Sequence, residues 1–462
     1  MKRTQLNISV IIFTIFALRL ICSCKKFLEL PPPDNQVNST LVFANDATAE
    51  SAINGIYSEM NNTADLFSDG RTTLMAGLAA DELYSYHPGV EDEFYTNSIS
   101  LVNHDNLTRW FWSPAYKFIY TTNLAIEELQ LATNLSVDVR KRLIAECKFL
   151  RAFSYFHLIN LFGDVPLTLS SKYELNATLP RESADVVYAQ INKDLREAEA
   201  DLPESYVNGL RSRVNKFAAA ALLAKIYLYR KDWSHAEKEA SIVIGSGIYQ
   251  LETDLDAVFL STSVESIWQL STVQLSVNTW EGNQILPASD LAEPTYLLRP
   301  EALNDFEAGD HRKGSWVAGR TFGGDSIYYP YKYKVFGNYA PITEDYVVLR
   351  LADQFLIRAE ARAEQNDLVG SLQDLNVVRT RAGLPEYSTA SQTDLLNMVY
   401  HERRIELLAE WGNRWYDLKR TNLANTILGT LKPDSWKSSA QLWPIPQNEI
   451  NQNTALTQNP GY

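Results

Sequence analysis

The pattern of apolar residues between Asn215 and Tyr249 predicts a hairpin of two helices. In its first half, small and large apolar residues recur at offsets of three and four, which places them on one helical face. These residues are Ala220, Leu223, Ala224 and Tyr227. After the polar joint Arg230-Lys231-Asp232, a second face is formed by Trp233, Ala236, Ala240 and Val243, and Gly245 and Gly247 predict its end. The unit has the ~34-residue length, and the alanine and aromatic placement, of a tetratricopeptide repeat.

Similar patterns occur elsewhere, as expected because one helix hairpin cannot bury its own apolar faces. The segment Tyr346–Gly383 has two apolar faces separated by the polar joint Gln365-Asn366-Asp367. Two longer helices are predicted over Ala115–Leu131 and Val139–Leu161, and a shorter one over Asp46–Asn61. The predicted fold is therefore mainly α, a scaffold of tetratricopeptide-like helical hairpins.

The helical period is lost between Leu251 and Asp345, where Gly, Pro, Asn and aromatic residues dominate. Short strands are predicted within this region at Ser266–Val273 and Tyr329–Val335. The segment Ala80–Asn106 also loses the period and collects tyrosines and carboxylates. So much irregular chain is expected to be functional, with the helical repeats as its rigid support.

The N-terminus has the features of an export signal. A short basic stretch precedes an apolar run from Ile8 to Leu18, which is too short to span a membrane comfortably and is typical of a secretory signal. Ser23-Cys24 then resembles a bacterial lipobox, so we expect Cys24 to carry lipid after removal of residues 1–23. The segment Lys25–Gln36 contains three consecutive prolines, which predicts an extended tether.

These patterns divide the 462 residues into five segments. They are a signal peptide (1–23), a lipidated N-terminus with a proline-rich tether (24–36), an N-terminal helical repeat scaffold (37–250), a loop-rich region expected to bind ligand (251–345), and a C-terminal helical hairpin with a closing segment (346–462). The chain is long enough to bury a large core, and its 45% hydrophobic and 21% charged residues are ordinary for a soluble globular protein.

Charge and motif content argue against several classes of function. The formal net charge of -14 disfavours nucleic-acid binding, because phosphate recognition needs a basic face. The sequence has no Walker loop, no G-x-S-x-G elbow and no EF-hand loop, and His401-Glu402 lacks the second histidine of a zincin. The scattered histidines and cysteines predict no metal cluster, and Cys147 is the only thiol expected after processing at Cys24. Glu402 and Glu406 lie one helical turn apart beside arginines, which favours structural ion pairs over an acid–base pair.

Motifs spread over the whole mature chain can be compared with a known family. They are CKKFLELPP from Cys24, FLRAFSYFHLINLFGDVPL from Phe149, ESIWQL from Glu265, LRLADQFLIRAEA from Leu349, LNVVRTRAGL from Leu375, ERRIELLAEWGNRWYDLKR from Glu402 and LWPIPQNEINQNTALTQNPGY from Leu442. Together they resemble the SusD/RagB family of outer-membrane nutrient-binding lipoproteins. The resemblance implies a helical platform whose irregular region captures glycan without cofactor or catalysis. It also implies a lipid anchor in the outer membrane, facing outward, and a SusC-like TonB-dependent transporter as partner.

A neutral glycan offers hydroxyls and flat patches of C–H, so its site needs exposed aromatic faces with amide or carboxylate side chains between them. The two irregular regions have this composition, and we predict Trp280 and Trp316 as the leading stacking residues. The complete set of ligand candidates is Trp280, Trp316, Tyr328, Tyr329, Asn283, Tyr84, Tyr86 and His87. Tryptophans inside helical or signature segments are assigned to the scaffold, and these are Trp112, Trp268, Trp411, Trp415 and Trp443.

Two other functions remain open from the sequence. A secreted all-α glycosidase would need two carboxylates at a cleft, and the loop cluster that could supply them is Asp81, Glu82, Glu91 and Asp92. A peptide-binding tetratricopeptide adaptor would present a polar concave groove instead of loop aromatics. The sequence names neither the glycan nor its linkage, and it leaves a bound calcium ion open.

Overall fold

The computed structural model describes residues 42–62, 65–87, 89–101, 105–272, 277–337, 341–389 and 391–462. The predicted signal peptide, Cys24 and the tether lie outside these residues. Up to residue 250 the helices are α1 (Asp46–Met60), α2 (Arg71–Ala79), α3 (Asp92–Tyr95), α4 (Asp105–Leu107), α5 (Ser113–Leu131), α6 (Val137–Phe162), α7 (Tyr173–Asn176), α8 (Ala184–Asp201), α9 (Lys216–Tyr229) and α10 (Trp233–Gly245), with a π-helix at Thr108–Trp112.

The remaining helices are α11 (Trp280–Ile285), α12 (Pro300–Asn304), α13 (His311–Trp316), α14 (Leu351–Glu364), α15 (Leu368–Arg381), α16 (Gln392–Glu406), α17 (Asn413–Arg420), α18 (Ala424–Leu431) and α19 (Gln447–Gln452). The strands are β1 (Leu83–Ser85), β2 (Ser266–Leu270), β3 (Tyr296–Leu298), β4 (Val317–Phe322), β5 (Asp325–Pro330) and β6 (Tyr346–Arg350). The prediction of a mainly α fold is confirmed.

The long helices form a continuous row. Helix α5 packs on α6, α6 on α8, α8 on α9, α9 on α10, α10 on α14, and α14 on α15 and α16. Helix α9 lies between α8 and α10, and its run of alanines from Ala218 to Ala221 is completely buried. Because alanine adds so little bulk, helices on both sides of α9 can approach it closely.

The two predicted hairpins share one joint geometry. The middle joint residues lie in the left-handed region, Lys231 at φ 58° and Asn366 at φ 65°. The next residue is an aspartate that caps the following helix: Asp232 accepts a hydrogen bond from the backbone N–H of His235 at 3.4 Å, and Asp367 accepts one from Gly370 at 3.0 Å. The pairs α9–α10 and α14–α15 are therefore copies of one structural unit.

The strands form three separate two-stranded antiparallel sheets, β1–β3, β2–β6 and β4–β5. The strand predicted from Ser266 is confirmed in β2, although it ends at Leu270. The strand predicted over Tyr329–Val335 is wrong, because β5 runs from Asp325 to Pro330. Its register is fixed by a tight turn at Gly323 and Gly324, both at positive φ, and only its last two residues belong to the predicted stretch.

A buried ionic network joins the loop-rich region to the C-terminal helices. At its centre lies Glu406, which forms ion pairs with Arg312, Arg350 and Arg381, the first two at 2.9 and 2.6 Å. Burial alone would raise the pKa of Glu406, but these three guanidinium groups hold that pKa well below its usual range. The interpretation of Glu406 as part of a structural ion pair agrees with this geometry, although its partners come from three other segments. The network holds the irregular chain on the helical scaffold.

Candidate functional site

The two irregular regions predicted from the sequence meet in space. Strand β1 pairs with β3, with Tyr84 opposite Leu297, and the backbone N–H of Tyr86 donates to the carbonyl of Thr295 at 2.9 Å. The Tyr86 ring then contacts the ring of Phe322 edge-on, with centroids 6.0 Å apart. Chain segments more than two hundred residues apart therefore contribute to one surface.

The β4–β5 hairpin has an inner and an outer face. Side chains alternate along a strand, so directly paired residues share a face. The inner face contains Ala318, Arg320, Phe322, Asp325, Ile327 and Tyr329, and all of these except Asp325 are buried or half-buried. The exposed part of the outer face is formed by Gly319, Thr321, Ser326 and Tyr328, and we call it the hairpin platform.

The ring of Tyr328 lies across Gly319 on the paired strand. A Cβ atom at position 319 would stand 2.6 Å from Cε1 and 2.7 Å from Cδ1 of Tyr328, closer than real Cβ contacts come. The glycine thus leaves the space that the Cδ1–Cε1 edge of the ring occupies beside the strand. Tyr328 remains 39% exposed, so part of its ring is open to a ligand. An exposed flat ring of this kind can stack on the C–H face of a sugar.

Neighbouring segments hold the hairpin in place. The Arg320 guanidinium donates to the carbonyl oxygens of Ser289 and Asp290, each at 3.3 Å, and to that of Ala292. His87 Nε2 and a carboxylate oxygen of Glu293 share a hydrogen bond. The segment before β3 is therefore fastened to the hairpin on one side and to the end of β1 on the other.

Tyr84 and Tyr329 keep their protons at neutral pH. Burial raises the pKa of Tyr84, and Tyr86, Tyr95 and Asp325 add to the rise. Burial likewise raises the pKa of Tyr329. The hydroxyl of Tyr86 lies 3.9 Å from the place that a Cβ would take at Gly323, at the hairpin tip. Tyr84 therefore offers a neutral phenol group at the rim of the platform, which can donate a hydrogen bond.

The structure corrects the expectation for Trp316, which is only 1% exposed. Its indole N–H donates to the carbonyl of Leu255 at 3.0 Å, its ring meets Phe259 edge-on, and the Lys332 ammonium lies 4.4 Å from its centroid. Tyr329 is also buried, at 8% exposure, on the inner face of the hairpin. Neither ring has a face available for stacking on a sugar, so both belong to the packing that supports the platform.

Trp280 and Asn283 lie on a different element, the short helix α11, which is capped by the Thr279 hydroxyl accepting from the N–H of Gly282 at 3.1 Å. Both side chains are half-buried. In the described parts of the chain, no ring contact joins Trp280 to the platform, and its indole N–H has no hydrogen-bond partner. The residues that the structure does bring together are Tyr84, Tyr86 and His87 at the rim and Tyr328 on the platform.

Sequence reasoning missed Gly319, Arg320, Phe322 and Glu293. A sequence signal for the hairpin exists, because two strand-like runs flank the pair Gly323-Gly324, a typical two-residue turn. The five tryptophans assigned to the scaffold are all buried, at 5% exposure or less. That assignment agrees with the structure.

Two of the four carboxylates considered for glycosidase chemistry are buried. These are Asp81 and Glu82, which are 2% and 1% exposed. Asp81 accepts two hydrogen bonds from Arg414, each at 2.8 Å; burial alone would raise its pKa, but Arg414 and Arg404 lower it to about 2. Glu82 accepts from the N–H of Ala409 at 3.1 Å, and burial raises its pKa to about 7. Both are held inside the scaffold, where a glycosidic bond cannot reach them.

The described residues contain neither a metal-ligand cluster nor a membrane-spanning helix. Within these ranges, no group of three or more His, Cys, Asp or Glu side chains is arranged to hold a metal ion. Nor does any helix in them combine the length and the apolar character needed to cross a membrane.

Comparison with known proteins gives a consistent result. Residues 320–462 match the model of the SusD family, and residues 26–228 match a model described as starch-binding and associating with the outer membrane. The SusD-like protein P2 of Formosa agariphila is 28% identical, and the match covers 91% of this chain and 93% of that protein.

Solved structures share the fold. A SusD superfamily protein from Bacteroides vulgatus superposes with a TM-score of 0.80 at 22% identity, covering 91% of this chain and 100% of that one. A laminarin-binding SusD-like protein superposes with a TM-score of 0.74 at 24% identity, covering 90% and 100%. Over residues 26–228 and 320–462 the sequence of this chain matches models of the SusD/RagB family, and its helical fold is similar to that of SusD-like proteins.

Proposed function

We propose that this protein captures an oligosaccharide on the hairpin platform without cleaving it. The observation that carries this proposal is the exposed ring of Tyr328, whose Cδ1–Cε1 edge lies against Gly319. The rim tyrosines and His87 supply hydrogen-bonding groups beside it. Such a combination of an aromatic face and polar neighbours suits a neutral sugar, whose hydroxyls and C–H patches need both kinds of contact.

The family points to the class of ligand. One matching family model is described as starch-binding, and a protein of the same fold is described as laminarin-binding. Both polysaccharides are neutral glucans, which agrees with a platform whose four outer residues carry no charge. Neutral glucans are therefore the first ligands to test for this chain.

A glycan array probed with the soluble protein tests this function. The array should carry starch, laminarin, xylan, mannan and galactan fragments of defined length. We expect retention of at least one neutral glycan, and no new reducing ends after prolonged incubation with it. Absence of binding to every member would contradict glycan capture, whereas release of shorter products would favour the glycosidase function.

We further propose that Cys24 anchors the mature protein in the outer membrane, facing outward, and that it delivers glycan to a SusC-like TonB-dependent transporter. The support is the apolar run before Ser23-Cys24, together with a family model whose description names association with the outer membrane. Replacing Cys24→Ala should move the protein from the membrane fraction to the soluble fraction, with Cys147→Ala as the matched control. Membrane association that survives the Cys24 replacement would contradict the lipid anchor. Co-purification of the transporter with wild-type protein tests the partnership.

A further inference from the structure

A cavity lies where α5, α7 and α19 meet. It has a volume of about 430 Å³, and it shares no residue with the hairpin platform. Its lining combines tyrosine rings with amide and carboxyl side chains: Tyr116, Tyr173, Asn176, Glu449, Gln452 and Asn453. This is the same mixture of flat rings and polar groups that suits a sugar. We call it the α5–α19 cleft.

Tyr173 is the most exposed aromatic residue of the cleft. Its side chain is 77% exposed on the four-residue helix α7. Tyr116, in contrast, is half-buried, and its hydroxyl donates to the carbonyl of Pro166 at 2.8 Å. One ring is therefore open to stacking, and the other is held rigidly by the scaffold.

The polar groups of the cleft are partly committed and partly available. The Asn176 amide donates to the carbonyl of Ser170 at 2.7 Å, which fixes the side chain and leaves its Oδ1 as an acceptor. The side-chain amide of Asn453 donates a hydrogen bond to the carbonyl of Leu179 and accepts one from the backbone N–H of Ala455. No hydrogen bond or ion pair of the Gln452 side chain occurs within the described residues, so its donor and acceptor remain available.

The charges of the cleft favour a neutral ligand. Burial raises the pKa of Glu449, an effect that a hydrogen bond from Trp112 partly offsets. The one cation of the lining, Lys117, already pairs with Glu59. A phosphate or sulfate ligand would therefore meet no free cation among the lining residues.

A neighbouring cavity extends the cleft. It has a volume of about 590 Å³, is lined in part by Thr108 and Arg109 of the π-helix, and shares Ser113 and Lys117 with the first cavity. Insertions of π-helical geometry into α-helices occur frequently at functional sites. Two adjoining cavities suit an extended chain better than a single small molecule.

We propose that the α5–α19 cleft is a second saccharide-binding site, which takes a neutral glycan and uses Tyr173 for stacking. The inference rests on the proposed glycan function, because it assigns the same class of ligand to a separate surface. A chain long enough to touch both surfaces would bind more tightly than a short one, since the second contact becomes intramolecular once the first has formed.

The test compares single variants on the same array of starch, laminarin, xylan, mannan and galactan, with each glycan as a short oligosaccharide and as the polysaccharide. Tyr173→Ala and Gln452→Ala change the cleft, and Tyr328→Ala changes the platform. Tyr120→Ala is the matched control, because Tyr120 is a 49% exposed tyrosine on α5 that lines neither cavity. Melting curves establish that each variant is folded.

We expect Tyr173→Ala to weaken polysaccharide binding by about tenfold, with little effect on the short oligosaccharide held at the platform. If Tyr173→Ala and Gln452→Ala both bind every array member as strongly as the wild type does, the second site is overturned and the platform proposal is unaffected. Loss in Tyr173→Ala with none in Tyr328→Ala would instead overturn the platform and support the cleft. A wild-type protein that binds no member would overturn both proposals.

Discussion

Tyr328 and Gly319 form a cross-strand pair in which the ring of one covers the backbone of the other. The pair is the centre of the hairpin platform, because the ring keeps its position only while residue 319 carries no side chain. A residue that touches no ligand should therefore control whether the aromatic face is presented at all.

Replacement of Gly319→Val should weaken glycan binding about as much as removal of the Tyr328 ring. The added Cβ would occupy the space 2.6 Å from the ring and push the ring off the strand. Stability should change little, since position 319 is exposed and valine is favoured in strands. Calorimetric titration measures the effect, with Gly55→Val as the control, since Gly55 is exposed on α1 and an added Cβ there meets nothing within 4 Å. Wild-type affinity in Gly319→Val would show that the orientation of the ring does not matter.

Trp316→Ala should behave in the opposite way. The residue is buried against Phe259 and Lys332, so its removal leaves a large cavity and should cost about 3–5 kcal/mol of the free energy of unfolding. Glycan affinity of the folded fraction should remain close to that of the wild type. Denaturant unfolding beside titration separates the two effects. A stable variant that has lost glycan binding would restore Trp316 as a ligand residue.

Asp81 and Glu82 are adjacent, yet their titration should affect stability with opposite signs. The pKa of Asp81 is about 2 in the fold, below the ~3.9 of an unfolded chain, so its stabilisation is present above pH ~4 and is lost as the pH falls toward 2. The pKa of Glu82 is about 7, above its unfolded value of ~4.3, so the fold loses stability as the pH rises from ~4 to 7.

Urea unfolding between about pH 2 and pH 8 should show these slopes in the wild type. Asp81→Asn should flatten the curve below pH ~4, and Glu82→Gln should flatten it between pH ~4 and 7. Glu174→Gln, at an exposed position, should keep the wild-type slopes. If both variants also kept the wild-type slopes, the assigned titrations would be wrong.

Periodicity predicted the helices well, because helical faces are local patterns. The alanine and aromatic spacing of α9 and the aspartate after each joint are enough to specify a hairpin and its capped second helix. The burial of Trp316 could not be predicted in this way. Its neighbours Phe259, Lys332 and Arg350 come from separate segments, and only the folded chain brings them around the ring.

Tyr328 and Tyr329 are adjacent in the sequence, yet the sequence alone could not predict which of them is exposed. Neighbouring residues of a strand point to opposite faces, so at most one of the two tyrosines could be presented on a given side. The turn at Gly323-Gly324 would have revealed this alternation. It would not have shown which face packs on β3, because that depends on contacts of β5 with a strand distant in sequence.

The most direct test of the platform is calorimetric titration of Tyr328→Ala with the neutral glycan that the wild type retains. We predict a loss of about 1–3 kcal/mol in binding free energy, the range for an aromatic contact at the centre of a site, with a melting temperature close to that of the wild type. Tyr120→Ala, another exposed tyrosine, should bind as the wild type does. Unchanged affinity in Tyr328→Ala would contradict the hairpin platform as the glycan-binding surface.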